Sequence, residues 1–192
     1  MVGTNPHPMQ IKKRSLLIVI LAAGVLVLAA VLVTTEPLAH NAGRNGFQIS
    51  IAGSVNRNIS FTLNELRSTE QVTVRAELKC VDGTSFGTHN WTGVLLETLL
   101  DEVGISASAV KVGFHSSDGY STDLTLEQAA RDDVMIAFEK DGANLTEITR
   151  LVVPGMWGYK WISGVDSIVL YDFDFKGLWE KRGYADDATI GG

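Results

Sequence analysis

The chain has 192 residues, is 45% hydrophobic and carries a formal net charge of −6 at pH 7. A chain of this length buries one ordinary core, so we expect a single folded domain. Of the 16 basic residues, 13 follow position 34 together with all 22 acidic residues, so this part is strongly acidic. The balance argues against nucleic acid as a partner, because phosphate binding needs a basic surface.

The N-terminal segment predicts a membrane anchor. Residues 15–34 contain no charged side chain, and as a helix the apolar run would span about 28 Å, which matches a bilayer core. Three basic residues directly precede it, so residues 1–14 are expected in the cytoplasm and the domain outside the cell membrane. Residues 35–46 are polar and predict a linker. An uncleaved or cleaved signal peptide is the alternative, although apolar signal regions have only about 7–15 residues.

Two early segments of the domain, which we place at residues 47–192, alternate apolar and polar side chains. Phe47–Ile51 and Val72–Leu78 are therefore predicted to be half-buried strands. The second strand delivers Cys80, the only cysteine of the chain, just past its end. Residues at strand ends belong to loops held by a rigid sheet, where chemistry is usually located. A lone cysteine cannot form an intrachain disulfide, so Cys80 is a candidate functional residue.

Three segments carry helix signals. Thr62 and Thr125 each begin a Thr-x-x-Glu/Gln capping box, which predicts a short helix after each. Trp91–Val103 has apolar residues at helical spacing and stops before Gly104. We therefore expect an amphipathic helix over the whole of that segment.

Four further strands are predicted downstream by apolar alternation and turn signals. They are Val110–His115, Val134–Phe138, Leu145–Val153 and Val165–Phe175. The segment 140–144 has the composition of a hairpin connection between the second and third of them. Several strands and few helices together predict an α+β domain.

Several common catalytic signatures are absent from the sequence. No P-loop, G-x-G-x-x-G, H-E-x-x-H or paired C-x-x-C sequence is present, which leaves zinc and nucleotide chemistry without support. A Cys–His hydrolase would need Cys80 activated by His89 or His115, but Cys80 lacks the sequence context of a nucleophile. A β-sandwich adhesion domain conflicts with the helix expected at Trp91–Val103.

Four stretches, taken in order, resemble the molybdenum-binding domain of the sulfite oxidase family over about residues 47–184. They are Cys80-Val-Asp-Gly followed by Trp91-Thr-Gly-Val, Asp118-Gly-Tyr before Leu126, Leu151-Val-Val-Pro-Gly155 leading into Gly158-Tyr-Lys160, and Gly177-Leu-Trp-Glu-Lys-Arg-Gly-Tyr184. Their order and spacing match the family. The resemblance implies mixed β-sheets with few helices and a molybdenum–molybdopterin cofactor.

The resemblance also implies two catalytic residues. In that family a cysteine thiolate binds molybdenum while the pterin supplies a dithiolene, and by position Cys80 is this metal ligand. A soft anionic sulfur suits a metal that cycles between oxidation states. Tyr120 lies where sulfite oxidases have a tyrosine beside the metal, able to donate a hydrogen bond. A buried free cysteine and a half-buried strand tyrosine are the alternatives.

The resemblance places cofactor-binding residues in the segment Gly158, Tyr159 and Lys160. Family members use a basic residue and backbone amides there to hold the pterin and its phosphate. Lys160 is the candidate phosphate ligand, with a plain surface lysine as the alternative. Arg150 is a weaker candidate anchor for the cofactor or for an anionic substrate.

Two departures from the family bear on the substrate and the partners. Animal and plant sulfite oxidases have an arginine shortly after the metal-binding cysteine, but residues 81–85 here are Val-Asp-Gly-Thr-Ser, which argues against sulfite. No haem-attachment C-x-x-C-H sequence is present, so a separate electron carrier is implied. A membrane haem protein and a quinone-linked subunit are both candidates for that carrier.

The sequence therefore predicts a membrane-anchored, extracytoplasmic molybdopterin oxidoreductase. The expected reaction is oxygen-atom transfer on a small S-oxide, N-oxide or oxyanion substrate. The alternative is a cofactor-free binding module on the same scaffold, because a fold does not secure a function.

Overall fold

The computed structural model describes Arg44 and residues 46–191. The predicted cytoplasmic segment 1–14, the anchor 15–34 and most of the linker 35–46 lie outside the described residues. Within the described part of the chain, no helix is long and apolar enough to cross a membrane. Arg44 is buried and donates a hydrogen bond to the Leu145 carbonyl, so contacts with the domain begin before residue 47.

Strands dominate the described residues. The strands are β1 (Gln48–Gly53), β2 (Ile59–Thr62), β3 (Val72–Lys79), β4 (Ser85–Leu95), β5 (Lys111–Ser116), β6 (Ser121–Thr125), β7 (Met135–Lys140), β8 (Ala143–Asn144), β9 (Arg150–Val152) and β10 (Val165–Tyr171). The helices are α1 (Leu63–Ser68), α2 (Leu96–Val103) and α3 (Leu126–Ala129), with 3₁₀ turns at Gly158–Lys160 and Glu180–Arg182.

The strands form two sheets. The first has the order β2-β1-β10-β5-β6, in which β1 and β10 are parallel and the other neighbours are antiparallel. The second has the order β3-β4-β7-β8, with β9 also paired to β7, and all its pairs are antiparallel. One hydrophobic cluster takes side chains from both sheets and from α2. The predicted α+β architecture with mixed sheets and few helices is confirmed.

The segment Trp91–Val103 differs from the prediction of one continuous helix. Residues up to Leu95 belong to β4, and only Leu96–Val103 is helical. β4 runs between β3 and β7, and a Cβ on Gly93 would stand 2.0 Å from the Ile136 carbonyl oxygen. A long apolar run is compatible with a buried strand and with a helix, so pairing on both sides decided the outcome.

Both predicted capping boxes are present. Thr62 Oγ1 accepts a hydrogen bond from the Glu65 amide at 3.2 Å, and the Glu65 carboxylate accepts one from the Thr62 amide at 2.7 Å. Thr125 and Gln128 form the same reciprocal bonds at 3.1 and 2.9 Å. These bonds satisfy amides that lack a helical partner, so α1 and α3 begin where the sequence predicts.

All four downstream strands are present, and the last two are shorter than predicted. Within Leu145–Val153 only β9 is a strand, while β8 pairs with β7 across the hairpin expected at 140–144. The strand predicted over Val165–Phe175 ends at Tyr171. Phe175 then stacks on Tyr171, with ring centroids 4.2 Å apart. The alternation of apolar and polar residues therefore continues beyond the last residue of β10. The aromatic side chains there pack on the sheet, although their backbone forms no strand pairing.

Candidate active site

Cys80 lies in the tight connection between β3 and β4. Its amide donates to the Thr84 carbonyl at 2.8 Å, and its carbonyl accepts from the Gly83 amide at 2.9 Å. The Asp82 carboxylate accepts from the Thr84 amide at 2.8 Å, and Gly83 has φ 90°, a conformation that glycine adopts without steric cost. The turn therefore holds a half-buried free thiol at a fixed point beside the sheet.

A cavity of about 530 Å³ collects most of the predicted site. Five of the six predicted residues line it, namely Cys80, Tyr120, Arg150, Gly158 and Tyr159. They come from the β3–β4 turn, the β5–β6 turn, β9 and the first 3₁₀ turn, which are far apart in the chain. Neither of the histidines considered for a Cys–His hydrolase lines this cavity.

Tyr120 is positioned by the turn between β5 and β6. Its amide donates to the Asp118 carboxylate at 2.8 Å, and its hydroxyl donates to the Tyr159 carbonyl at 2.6 Å. Burial raises the pKa of Tyr120, and the negative charge of Glu180 adds to the rise. The phenol therefore stays protonated at neutral pH and keeps its ability to donate a hydrogen bond.

The first 3₁₀ turn forms the wall next to the Cys80 turn. A Cβ on Gly158 would stand 3.1 Å from the Lys79 carbonyl oxygen, so the turn lies directly against the end of β3. The Tyr159 hydroxyl donates to the Ala185 carbonyl at 2.6 Å, and burial raises the pKa of Tyr159 to about 12. Glycine at 158 thus brings this turn close to the thiol.

Arg150 lines the cavity but is already paired. Its Nε and Nη2 atoms lie 2.8 and 2.7 Å from the same oxygen of Glu147, Oε1, and its Nη1 donates to the Trp161 carbonyl at 3.3 Å. Between these partners Ile148 has φ 71°, and the Thr149 amide donates to the Glu147 carbonyl at 2.9 Å. A β-branched residue in such a three-residue turn costs of order 1–3 kcal/mol, and strain of this kind clusters at functional sites.

Lys160 is placed differently from the other predicted residues. Its side chain is 0% exposed, and its ammonium lies 2.6 Å from Glu180 Oε1 and donates to the Asp123 carbonyl at 2.8 Å. It is not among the residues that line the cavity. In this structure the ammonium therefore serves buried protein groups, and the geometry gives no support to the phosphate-binding role predicted for it.

Aromatic side chains complete the cavity, and the sequence analysis assigned no role to two of them, Trp179 and Tyr184. The Tyr184 ring lies 5.0 Å from Trp179 and 5.2 Å from Tyr159, measured between centroids. Trp179 and Tyr184 both belong to the Gly177–Tyr184 stretch that carries the family resemblance, so the sequence did contain a signal for them. Phe86, 56% exposed, also lines the cavity without any such signal.

The residues present fit a molybdopterin. A thiolate is a soft ligand suited to a redox-active metal, and Cys80 supplies one at the wall. Aromatic side chains offer flat surfaces for a planar ring system, and Arg150 offers a cation for an anionic group. A cavity with this set of groups, on this two-sheet fold, defines a metal-cofactor oxidoreductase domain.

Comparison with known proteins identifies the family. The family model described as "Oxidoreductase molybdopterin binding domain" matches residues 36–179. The match spans most of the chain, so this protein belongs to the oxidoreductase molybdopterin-binding domain family. The predicted resemblance, the molybdopterin cofactor and the class of molybdenum-dependent oxidoreductase are thereby confirmed.

Individual relatives agree with the family. The chain is 29% identical over 142 residues to the "Putative protein-methionine-sulfoxide reductase subunit YedZ1" of Azospira oryzae, covering 72% of this chain and 54% of that protein. It is 24% identical over 177 residues to the sulfite oxidase of Arabidopsis thaliana, covering 72% and 45%. The chain thus spans about half the length of these two curated relatives.

A solved structure supports the fold. The sulfane dehydrogenase SoxCD from Paracoccus pantotrophus superposes with a TM-score of 0.64 at 23% sequence identity. The match covers 70% of this chain and 40% of that one. At this level of identity the likeness establishes the architecture and nothing further.

Proposed function

We propose that this protein is a membrane-anchored, extracytoplasmic oxidoreductase that transfers an oxygen atom on a small S-oxide, N-oxide or oxyanion substrate. The observation that carries the proposal is the Cys80 thiol at the wall of a cavity of about 530 Å³ in a molybdopterin-binding family member. When bound, the cofactor supplies the two-electron redox chemistry of molybdenum, with the Cys80 thiolate as its protein ligand.

The remaining lining residues have roles that follow from their chemistry. Gly158 and Tyr159 offer backbone groups and a ring to the cofactor, and Arg150 offers a cation once it leaves Glu147. Tyr120 offers its phenol to the substrate oxygen, in exchange for the Tyr159 carbonyl that it now contacts. The raised pKa of Tyr120 keeps the phenol proton in place for that contact. The apolar walls reduce the access of water to the reacting atoms.

Electrons must enter or leave through a second protein. Reducing an S-oxide or N-oxide takes two electrons and two protons and releases water. Oxidising an oxyanion takes its oxygen from water and releases two electrons and two protons. We propose a separate membrane carrier, a haem protein or a quinone-linked subunit, as the exchange partner. The apolar run 15–34 would anchor this protein in the same membrane as the carrier, which raises the effective concentration of each protein for the other.

Cofactor content tests the proposal. The full chain is purified in detergent from a host that makes molybdopterin, next to Cys80→Ser, and both are assayed for molybdenum by elemental analysis and for pterin by fluorescence. We expect near one molybdenum and one pterin per wild-type chain and loss of the metal in the variant. A folded wild-type protein with neither would instead support the cofactor-free binding module.

A further inference from the structure

A buried cluster of charges lies behind the cavity wall. The side chains of Asp123, Lys160 and Glu180 are each 0% exposed. The Lys160 ammonium lies 2.6 Å from Glu180 Oε1 and 3.5 Å from Asp123 Oδ1. Lys111, 7% exposed, lies 2.6 Å from the other oxygen of Asp123. Lys111 also lies 3.4 Å from Asp174 and from Asp186, so the buried charges continue into a partly exposed ion-pair network.

The cluster joins two walls of the cavity from behind. Lys160 directly follows Tyr159, which lines the cavity on the first 3₁₀ turn. Glu180 directly follows Trp179, which lines it on the C-terminal stretch. The contact between Lys160 and Glu180 therefore fixes one wall relative to the other.

The C-terminal stretch depends on this cluster for its place. The Gly177 amide donates to Asp123 Oδ1 at 3.1 Å, and the Thr122 hydroxyl donates to Glu180 Oε1 at 3.0 Å. A Cβ on Gly177 would stand 2.4 Å from the Thr122 Cα, so the backbone of the stretch lies directly on β6. These contacts hold the stretch that carries Trp179.

The cluster is poorly explained as a device for stability alone. Glu180 Oε2 is buried and has no hydrogen-bond partner within the described residues. Buried ion pairs are often no more stabilising than apolar residues of similar volume, and an unpaired buried oxygen adds a cost. The Lys160–Glu180 pair is therefore better explained by the two cavity walls that it holds in place.

We propose that Glu180 is a positioning residue, which acts through Lys160 to set the separation between the Tyr159 wall and the Trp179 wall of the cofactor cavity. The inference rests on the proposed cofactor site. Lys160 then acts on the cofactor indirectly, because it holds the first 3₁₀ turn in place and does not contact the phosphate itself. Outer groups that orient a metal site typically change metal affinity by about 10–100-fold when they are removed.

The test compares cofactor loss from loaded full-length proteins. Glu180→Gln removes the charge with little change of volume, and Glu139→Gln is the matched control. Glu139 pairs with Arg67 at 2.8 Å and does not line the cavity. Val103→Ala, at a buried position of α2, serves as a control for a general loss of stability. Pterin fluorescence in filtrates, followed over time, gives the release rate.

We expect pterin release from Glu180→Gln to be about tenfold faster than from wild type, with both controls within about twofold of wild type. Release from Glu180→Gln no faster than from Val103→Ala would overturn the inference while leaving the proposed function intact. Wild-type protein that carries no pterin would overturn the proposed function and this inference with it.

A milder variant covers the case in which Glu180→Gln does not fold. Thr122→Val removes only the hydroxyl that lies 3.0 Å from Glu180 Oε1. We expect a smaller acceleration of pterin release, about threefold, because Lys160 still holds the carboxylate. A release rate equal to that of wild type would then count against the positioning role.

Discussion

Replacing Lys160 by methionine separates its structural role from the phosphate-binding role that the sequence suggested. Methionine keeps the length of the side chain and removes the charge. A solvent-facing phosphate ligand could be lost from the cofactor-free protein at little cost in stability. A buried partner of two carboxylates could not, because Glu180 and Asp123 are 0% exposed and would lose the ammonium that pairs with them.

The magnitude follows from what each carboxylate retains. Asp123 keeps Lys111 and the Gly177 amide, whereas among the described residues Glu180 keeps only the Thr122 hydroxyl at 3.0 Å. Removing one partner of a buried pair typically costs about 3–5 kcal/mol. Because the free energy of unfolding of a domain is typically about 5–15 kcal/mol, the variant should lose a large fraction of its stability.

Urea denaturation of cofactor-free protein at pH 7, followed by tryptophan fluorescence, measures the free energy of unfolding without a contribution from cofactor binding. Lys140→Met, at an exposed lysine of β7, is the control and should change it by less than about 0.5 kcal/mol. A loss below about 1 kcal/mol for Lys160→Met would refute the argument from burial.

Three further predictions concern the cavity. Cys80→Ser should keep the turn between β3 and β4, because none of the three hydrogen bonds of this turn uses the thiol. Elemental analysis should show that the variant has lost the metal. Gly158→Ala places a methyl 3.1 Å from the Lys79 carbonyl oxygen, so pterin content by fluorescence should fall with little change in far-UV circular dichroism. Burial raises the pKa of Tyr120, so the unfolded chain loses this proton first and the free energy of unfolding should fall above about pH 10. Urea titrations at pH 9 and 10.5 should show a smaller fall for Tyr120→Phe, and an equal fall would contradict the assignment.

Local signals allowed much of this protein to be predicted from its sequence. Capping boxes at Thr62 and Thr125 involve groups three residues apart, so neighbours in the chain suffice to predict them. The same holds for Cys80, which follows an alternating strand and lies in a turn closed by its own neighbours. Five of the six residues suggested by the resemblance line one cavity. The order of the motifs along the chain identified the family, and members of a family share a fold that brings these motifs together.

The misassigned element had an ambiguous local pattern. The apolar run of Trp91–Val103 is compatible with a buried strand as well as a helix, and only the positions of β3 and β7 on either side made its first part a strand. Sheet pairing between distant segments leaves no mark in the run itself. Its helical end, by contrast, was predicted because Gly104 stops the helix locally.

The sequence by itself determined where the two capped helices start, where the thiol lies relative to its strand, and which family of cofactor the chain accepts. Tertiary structure alone decided that Lys160 is buried, since its partners Asp123 and Glu180 are 37 and 20 residues away in the chain. It also decided that Trp179 reaches the cavity. Burial and ion pairing depend on which segments the folded chain brings together, whereas capping and turns depend on the nearest residues.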